Sequence, residues 1–392
     1  MFTASSFSLL GDSKAAAQAA AEALEVKLGR TPHLVVLYAT EHHARPETID
    51  VMRSAFPSSQ IIGGTSCAGV MTDQGFHAGP DGALGLFGIH DEDGAYGVGS
   101  APVDGDPVRA GALAVERALA AAGRDFETPD LVWCCQPPGS EEGMIKGVQS
   151  VLGANTPVVG GSAADETIGG RWRQFSSEGV LEDHVAVCVM FPGQRFGLAF
   201  QSGYAPASSE GVVTRADGRR LIEIDGRPAA EVYAEWTGLD LDRAAGGMIL
   251  ALSTPTPLGR LAGEARGVPM FILSHPATVD DDGTLSLFTE IGEGERVHLM
   301  RGSPDSLVRR AGLVARDATS DWGPQSCVGG LIIYCGGCML HVRERMDEVA
   351  DDVSRALAGA AFLGAFTFGE QGAIVDACNR HGNLMVAALA FT

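Results

Sequence analysis

The fold is decided by Leu34-Val35-Val36-Leu37-Tyr38, a helical stretch and Ile62-Gly63-Gly64-Thr65-Ser66, because this segment recurs along the chain. The second copy begins 97 positions later (131 − 34), and a third, looser copy lies near the end. The apolar runs of these copies are Leu131-Val132-Trp133-Cys134-Cys135, Val158-Val159-Gly160-Gly161-Ser162, Leu331-Ile332-Ile333-Tyr334-Cys335 and Phe362-Leu363-Gly364-Ala365-Phe366. Each copy continues into one further apolar run. The sequence therefore predicts three repeated strand-helix-strand-strand units.

The connection inside each unit predicts how its strands are arranged. A helical crossover is long enough to return the chain along the sheet, so the strands on either side of it are parallel. We predict an α/β fold in which the repeated units form mixed sheets. Ligands of such sheets lie beyond the carboxyl ends of the parallel strands, where glycine lets backbone N–H groups approach closely. The repeat thus points to a site at its strand ends.

Composition places the chain among ordinary soluble proteins. Its 392 residues, 45% hydrophobic and 20% charged, suffice for two or three globular cores. The net charge of −21 would repel phosphate backbones and anionic lipids, so we expect neither a nucleic-acid nor a membrane partner. The amino terminus lacks a signal-peptide pattern, and no apolar stretch approaches the roughly 20 residues of a membrane helix. We therefore predict a cytoplasmic protein, whose eight cysteines fit reduced thiols.

Turn residues and short β-type runs divide the chain into two predicted domains. Residues 1–225 are predicted to hold two repeat units and a β hairpin, and residues 226–392 an antiparallel meander and the third repeat unit. In chain order, the repeat units, the meander and the last unit are predicted at 31–100, 128–192, 246–300 and 329–391.

The predicted strand ends carry the residues that we expect to contact a ligand. Glu370, flanked by glycines, is suited to accept a hydrogen bond from a ligand ammonium or hydroxyl, although it could equally be a solvated turn residue. Asp165 and Glu166 could bind a cation or could cap an exposed turn. The predicted ligand-binding residues are Gly63, Gly64, Thr65, Ser66, Cys67, Gly160, Gly161, Ser162, Asp165, Cys335, Gly336, Thr367 and Glu370.

Reactive side chains at the same strand ends allow two further interpretations. Cys335 could act as a nucleophile with Glu370 as general acid or base. Cys335 and Cys338, with His341 three residues later, could also bind a metal, although a closed zinc site needs a fourth ligand. The alternative is that Cys335 packs in the sheet and His341 faces solvent. The adjacent His42 and His43 are candidate ligands of a haem iron, or ordinary polar loop residues.

Several dispersed motifs occur in the order of a known protein family. They are Ile62-Gly63-Gly64-Thr65-Ser66-Cys67-Ala68-Gly69, Val158-Val159-Gly160-Gly161-Ser162-Ala163-Ala164-Asp165, Ile224-Asp225-Gly226-Arg227-Pro228-Ala229-Ala230-Glu231-Val232-Tyr233 and Gly364-Ala365-Phe366-Thr367-Phe368-Gly369-Glu370. With these motifs, residues 10–375 resemble the FIST family, a two-part sensory module of bacterial signalling proteins. Many members carry an arginine soon after the cysteine equivalent to Cys335, where this chain has Gly336-Gly337-Cys338-Met339.

The resemblance implies a two-domain FIST architecture and a sensory function. It implies that the chain binds a small ligand, such as an amino acid or a similar metabolite, and signals to a separate partner protein. A histidine kinase or a cyclic-di-GMP enzyme is the kind of partner it suggests. One branch, the nitric-oxide-sensing NosP proteins, binds haem, so haem is a candidate cofactor. The alternatives are therefore a haem-binding nitric oxide sensor and an enzyme that uses Cys335 and Glu370.

Overall fold

The structure is a computed structural model that describes residues 1–241, 247–265, 267–374 and 378–392. Residue 246, where the predicted meander begins, and residues 375–377 of the predicted third unit lie outside the described residues. The described part confirms the α/β fold with several mixed sheets. Within these ranges, no helix combines the length and the apolar character needed to cross a bilayer.

Three related units and one inserted sheet make up the described chain. The first unit contains β1 (Phe2–Ser8), α1 (Ser13–Leu28), β2 (Leu34–Ala39), α2 (Pro46–Ala55), β3 (Gln60–Thr65), β4 (Val70–Thr72), β5 (Gly75–His77) and β6 (Leu84–His90). The second unit contains β7 (Ala95–Pro102), α3 (Pro107–Ala122), β8 (Leu131–Cys135), α4 (Glu141–Leu152), β9 (Val158–Gly161), β10 (Gln174–Ser176), β11 (Gly179–Leu181) and β12 (His184–Phe191). Both units have the same order of strands and helices.

The third unit begins with β13 (Phe196–Ser202) and is interrupted by an insertion. The insertion contains β14 (Ala205–Asp217), β15 (Arg220–Ile224), β16 (Arg227–Pro228), α5 (Ala229–Thr237), α6 (Leu250–Ser253), β17 (Leu258–Ala265), β18 (Val268–Ser274), β19 (Pro276–Val279), β20 (Leu285–Leu287) and β21 (Arg296–Arg301). The unit then resumes with α7 (Pro304–Ala318), β22 (Gly329–Cys335), α8 (Gly336–His341), α9 (Met346–Ala356), β23 (Ala361–Thr367), β24 (Glu370–Ala373), β25 (Asn379–Gly382) and β26 (Met385–Phe391).

The recurring apolar runs form the parallel pairs that their spacing predicts. Strands β2 and β3, β8 and β9, and β22 and β23 are parallel, and the last strand of each unit runs antiparallel beside them. Each unit also contains a leading strand and helix and a short hairpin. These additions were not predicted as parts of the repeat.

The short hairpins are exchanged between units. The three sheets have the orders β1-β6-β2-β3-β10-β11, β7-β12-β8-β9-β24-β25 and β13-β26-β22-β23-β4-β5. The hairpin of the second unit thus extends the first sheet, that of the third extends the second, and that of the first extends the third. Because each hairpin pairs with another unit's sheet, the three units are tied together through backbone hydrogen bonds.

A ring of backbone hydrogen bonds joins the three strand ends where the units meet. The N–H of Cys67 donates to the carbonyl of Phe366 at 2.9 Å, and the N–H of Ala164 donates to that of Thr65 at 2.8 Å. The third link runs from the N–H of Phe368 to the carbonyl of Ser162 at 3.3 Å. Each donor lies two residues after its own unit's acceptor. The three strand ends are therefore related by an approximate threefold repeat of backbone contacts.

Both faces of the central strands β2, β8 and β22 are buried, which explains their near-continuous apolar runs. In β2, Val36 and Tyr38 pack in the central cluster between the sheets, while Val35 and Leu37 pack against the helices α1 and α2. Fully burying a side chain of this kind contributes about 1.5–3 kcal/mol. The alternation fixes the register of the strands, because a shift of one residue would exchange the two faces.

The insertion forms a separate sheet with its own core. Its order is β18-β17-β21-β14-β15-β20-β19, with β16 paired to β15, and all of these pairs are antiparallel. Its buried residues, Tyr233 and Leu258 among them, form a cluster distinct from the central one. The predicted boundary at residue 225 falls at the turn between β15 and β16. Since it connects β13 to α7, the insertion lies beside the third unit.

Candidate ligand-binding cavity

A cavity of about 640 Å³ lies where the three units meet the inserted sheet. Its wall combines residues at or after strand ends of the repeat with residues from α6 and the connecting segments of the insertion. The lining residues are Cys67, Pro138, Glu166, Thr167, Ile168, Trp172, Met248, Leu250, Ala251, Thr254, His275, Phe288, Cys335, Gly337, Leu340, His341, Phe368 and Asn383. Most of this wall is apolar, as is usual for the binding sites of small organic molecules.

Two of the predicted ligand-binding residues line the cavity. Cys335 ends β22, and Cys67 follows β3. They come from different units but lie close together, because a Cβ atom placed on Gly336 would be 3.3 Å from the Cβ of Cys67. The structure therefore brings the third strand end against the first. Among the described lining residues, none of the other predicted ligand-binding residues appears.

The predicted glycines at the strand ends are required for close packing within and between units. A Cβ atom on Gly64 would collide with the sulfur of Cys135, and one on Gly161 would collide with the side chain of Thr367. Gly63 and Gly160 lie similarly close to the backbone of the neighbouring strand. These close approaches are between elements of the protein, so the glycines hold the strand ends together without facing the cavity.

The predicted hydroxyl residues are engaged inside the protein. Ser66 donates to the carbonyl of Gly69 at 2.6 Å and accepts from the N–H of Phe366 at 2.8 Å. The hydroxyl of Thr65 accepts from the N–H of Arg173 at 3.0 Å. These bonds join strand ends of different units, so the two side chains stabilise the junction.

Asp165 shapes the loop that supplies one wall of the cavity. Its buried carboxylate accepts hydrogen bonds from the N–H groups of Thr167, Gly169 and Arg171, at 2.8–3.1 Å. Side chains of this loop, including Trp172, line the cavity. The ring of Trp172 meets that of Phe368 edge to face, with centroids 6.3 Å apart. Asp165 thus acts on the cavity by positioning its neighbours.

Cys335 and Glu370 have environments that oppose nucleophilic catalysis. A side-chain hydrogen bond with Cys338, together with burial, raises the pKa of the Cys335 thiol well above its usual range. Burial raises the pKa of the Glu370 carboxyl well above its ordinary value, and the nearby Cys335 adds to this effect. The Glu370 carboxyl is hydrogen bonded to Thr367 at 2.9 Å and to the N–H of Met385 at 3.0 Å. A protonated thiol is a poor nucleophile, so this pair lacks the activation that a cysteine enzyme needs.

The predicted metal ligands are not assembled into a metal site. Cys335 and His341 line the cavity, but Cys338 is buried in α8, where its sulfur lies 3.7 Å from the hydroxyl of Tyr204. In the described ranges, the one group of three or more His, Cys, Asp or Glu residues whose ligand atoms all lie within 4.8 Å of one another is Glu141, Glu142 and His381. The prediction of a metal site at Cys335, Cys338 and His341 is therefore not supported by the geometry.

The two carboxylates at the start of α4 share one arginine as their counter-charge. A guanidinium nitrogen of Arg219 lies 2.7 Å from Glu141 and 2.5 Å from Glu142. The carboxylate of Glu142 is 2.8 Å from the Nδ1 atom of His381. Glu141 also accepts from the hydroxyl of Ser162 at 2.6 Å. The group thus links the second unit to the inserted sheet and to β25, in a place where a cation would have to displace Arg219.

His42 and His43 lie away from the cavity. His43 is buried, with its Nδ1 atom 3.2 Å from the hydroxyl of Ser13, and burial lowers its pKa to about 4. His42 is exposed, with its Nε2 atom 2.8 Å from the carbonyl of Gly11. Neither belongs to the described cavity wall. The structure therefore separates these histidines from the predicted ligand site.

The sequence interpretation missed the polar residues of the inner wall. His275 lies between β18 and β19, and Asn383 lies in the turn between β25 and β26. Both are at most 5% exposed. The backbone N–H of His275 donates to the Oδ1 atom of Asn383 at 3.2 Å. The sequence signal that could have identified His275 is its position just after the apolar run Phe271-Ile272-Leu273. Asn383 had no such signal, because it resembles an ordinary turn residue.

Comparisons with known proteins identify the family. The FIST N domain model matches residues 33–227, and the FIST C domain model matches residues 229–373. An uncharacterised protein of Methanocaldococcus jannaschii is 32% identical over 90 residues, which are 22% of this chain and only 18% of that protein.

Two solved structures show weaker likeness. Cyanuric acid hydrolase from A. caulinodans has 13% identity and a TM-score of 0.36, with 100% of this chain and 99% of that chain covered. PurLQS from Thermotoga maritima has 10% identity and a TM-score of 0.24, with 83% and 74% covered. The two domain matches together cover most of the sequence, and FIST domains are associated with small-ligand binding in sensory proteins. The chain belongs to the FIST family, with a FIST N domain followed by a FIST C domain.

Proposed function

We propose that the protein is a cytoplasmic sensor that binds a small organic metabolite in the cavity and signals to a separate partner protein. The observation that carries the proposal is the composition of the cavity wall. Cys67 and Trp172 come from the FIST N domain, whereas His275 and Phe288 come from the FIST C domain. A ligand in this position would contact both domains at once.

Contacts with both domains give a physical route for signalling. A ligand favours the arrangement of the cavity walls that it contacts best. It can shift the equilibrium between two such arrangements only by the difference between its affinities for them. The insertion and the loop stabilised by Asp165 are the walls on which occupancy would act. The output would be read by a partner such as a histidine kinase or a cyclic-di-GMP enzyme.

A thermal-shift screen over amino acids and other small metabolites tests the proposal. A ligand present at 100 times its Kd should stabilise the protein by about 2.7 kcal/mol. Ala251→Trp, which fills the cavity, should abolish the shift, whereas Leu261→Trp, an exposed change on β17 outside the wall, should preserve it. No stabilisation by any compound, in protein freed of copurified ligand, would contradict the proposal.

Haem is a second candidate ligand because of His341. This histidine is exposed at the cavity wall, and its imidazole forms no hydrogen bond with any described residue. Apolar walls and a free imidazole fit a haem, so His341 would hold the iron in preference to His42 or His43. Bound haem would supply an iron that takes up nitric oxide. Haem titration should produce a Soret band that His341→Ala removes and His42→Ala retains; a protein that stays colourless excludes this function.

A further inference from the structure

Asn383 presents an unmet hydrogen-bond donor at the inner wall of the cavity. Its orientation is fixed, because its Oδ1 atom accepts from the backbone N–H of His275 at 3.2 Å. If the amide were turned the other way, its NH2 group would face the backbone N–H of His275, and two donors cannot form a hydrogen bond with each other. The Nδ2 atom therefore points away from this bond, is buried and has no partner among the described residues. Leaving a buried donor unpaired is costly, so a ligand acceptor here would be favoured.

His275 lines the same cavity and carries a hydrogen-bond acceptor. Its Nε2 atom lies 3.1 Å from the carbonyl of Leu250 and 3.3 Å from the hydroxyl of Thr254. Because a carbonyl can only accept, the proton of the neutral ring resides on Nε2. Burial lowers the pKa of His275 to about 4, so the ring is neutral at pH 7. The Nδ1 atom is then an acceptor, and it makes no hydrogen bond with the described residues.

The rest of the described wall offers little to a charged ligand. It contains neither Lys nor Arg in the described ranges, and its one carboxylate belongs to the exposed Glu166. An anionic group brought into this apolar space would lose hydration without gaining a counter-charge from these residues. An uncharged ligand avoids this penalty, and the aromatic rings of Trp172, Phe288 and Phe368 provide apolar contact for its body.

We propose that the cavity binds an uncharged carboxamide or lactam with an apolar body. The ligand carbonyl accepts from the Nδ2 group of Asn383, and the adjacent ligand N–H donates to the Nδ1 atom of His275. A carboxamide supplies both an acceptor and a donor, which are the partners that these two wall residues lack. This inference rests on the proposed ligand-binding function and names the ligand class of the same cavity.

Calorimetry with matched probes tests the ligand class. The probes are 3-phenylpropanamide, its methyl ester counterpart methyl 3-phenylpropanoate, and the anion 3-phenylpropanoate. The ester keeps the acceptor but lacks the N–H, and the anion adds a charge. We expect the amide to bind about tenfold more tightly than the ester or the anion, because one net hydrogen bond contributes a binding free energy of about that size. An anion that binds as tightly as the amide, or an amide that does not bind, overturns the inference.

Two substitutions assign the contacts. Asn383→Asp keeps the acceptor for the N–H of His275 and removes the free donor, so amide affinity should fall about tenfold. His275→Phe should make the amide and the ester bind equally well. Leu261→Ala, on the exposed part of β17, is the control, and circular dichroism checks each fold. Unchanged amide affinity in Asn383→Asp overturns the inference.

The outcome for the ligand class is separable from the outcome for the function. A metabolite whose binding is blocked by Ala251→Trp, together with amides that fail to bind, leaves the sensor function standing and refutes the carboxamide alone. Failure of both the metabolite screen and the probe series refutes both.

Discussion

Replacing Glu370 by glutamine should stabilise the protein at neutral pH. The carboxyl is fully buried, and its two oxygens are bonded to the hydroxyl of Thr367 and the N–H of Met385. Burial raises its pKa well above the ordinary value, the neighbouring Cys335 raises it further, and the bonds from Met385 and Thr367 only partly oppose this. Glutamine has the same shape, accepts from Met385 and donates to Thr367, but it carries no proton that can be lost.

The size of the effect follows from the proton that the folded state retains. In the unfolded chain a glutamate loses its proton near pH 4.3, whereas the folded protein keeps it to higher pH. Between these two pKa values the folded state binds more protons, so stability falls as pH rises, by about 1.4 kcal/mol per pH unit. The contribution of Glu370 is complete below the unfolded pKa and is lost as pH approaches the folded pKa. Over two pH units, the wild type should lose about 2.7 kcal/mol relative to Glu370→Gln.

Urea unfolding at about pH 5, 6 and 7 measures this difference. The gap between Glu370→Gln and wild type should widen with pH, and Glu25→Gln, an exposed change on α1, controls for the loss of one carboxylate. Glu370→Ala should destabilise at every pH, because it leaves a cavity and unpaired groups. A constant difference between Glu370→Gln and wild type across this range would show that the folded carboxyl ionises like an exposed one, and would refute the reasoning.

Three further predictions concern the junctions and the loop. Arg219→Met should lower the free energy of unfolding by about 3–5 kcal/mol, because it leaves two inward carboxylates without a counter-charge, and a loss below about 1 kcal/mol in urea would contradict this. Cys335 should react with iodoacetamide at pH 7.5 about tenfold or more slowly than the exposed Cys378, as measured by peptide mass spectrometry; equal rates would show an activated thiol. Asp165→Ala should speed tryptic cleavage after Arg171 severalfold, since the loop loses the acceptor of its N–H groups, whereas unchanged cleavage would show that other contacts hold it.

The repeated core could be predicted because its signals are local. The run Val35-Val36-Leu37 and its counterparts are apolar on both faces, and a helix separates each run from its parallel partner. The hairpin exchange has no such local signal. Val70 in β4 pairs with Ala365, almost at the other end of the chain. The residue pattern of β4 does not indicate which strand it pairs with. Apolar patterning specifies that a strand is buried, but the pairing depends on how whole units pack.

The candidate site could likewise be predicted only where its residues belong to the repeat. Cys67 and Cys335 could be placed in it because both lie at the carboxyl ends of strands of the repeat, and these ends meet. His275 and Asn383 could not, because their position depends on how the insertion packs over the strand ends. The glycines were predicted as points where a ligand approaches the backbone, whereas Gly64 and Gly161 lie against neighbouring protein groups. Sequence alone cannot distinguish a glycine that admits a ligand from one that admits another strand.

The insertion explains why an approximately threefold junction has an asymmetric cavity. The ring of bonds from Cys67, Ala164 and Phe368 treats the three strand ends almost alike, so the repeat by itself would offer three similar corners. Only the third unit carries an inserted sheet in the described chain, and this sheet covers the corner where Cys335 and Phe368 lie. It adds apolar walls and the neutral ring of His275 to that corner. The repeat therefore brings the strand ends together, and the insertion gives their junction the enclosed surroundings that a small ligand needs.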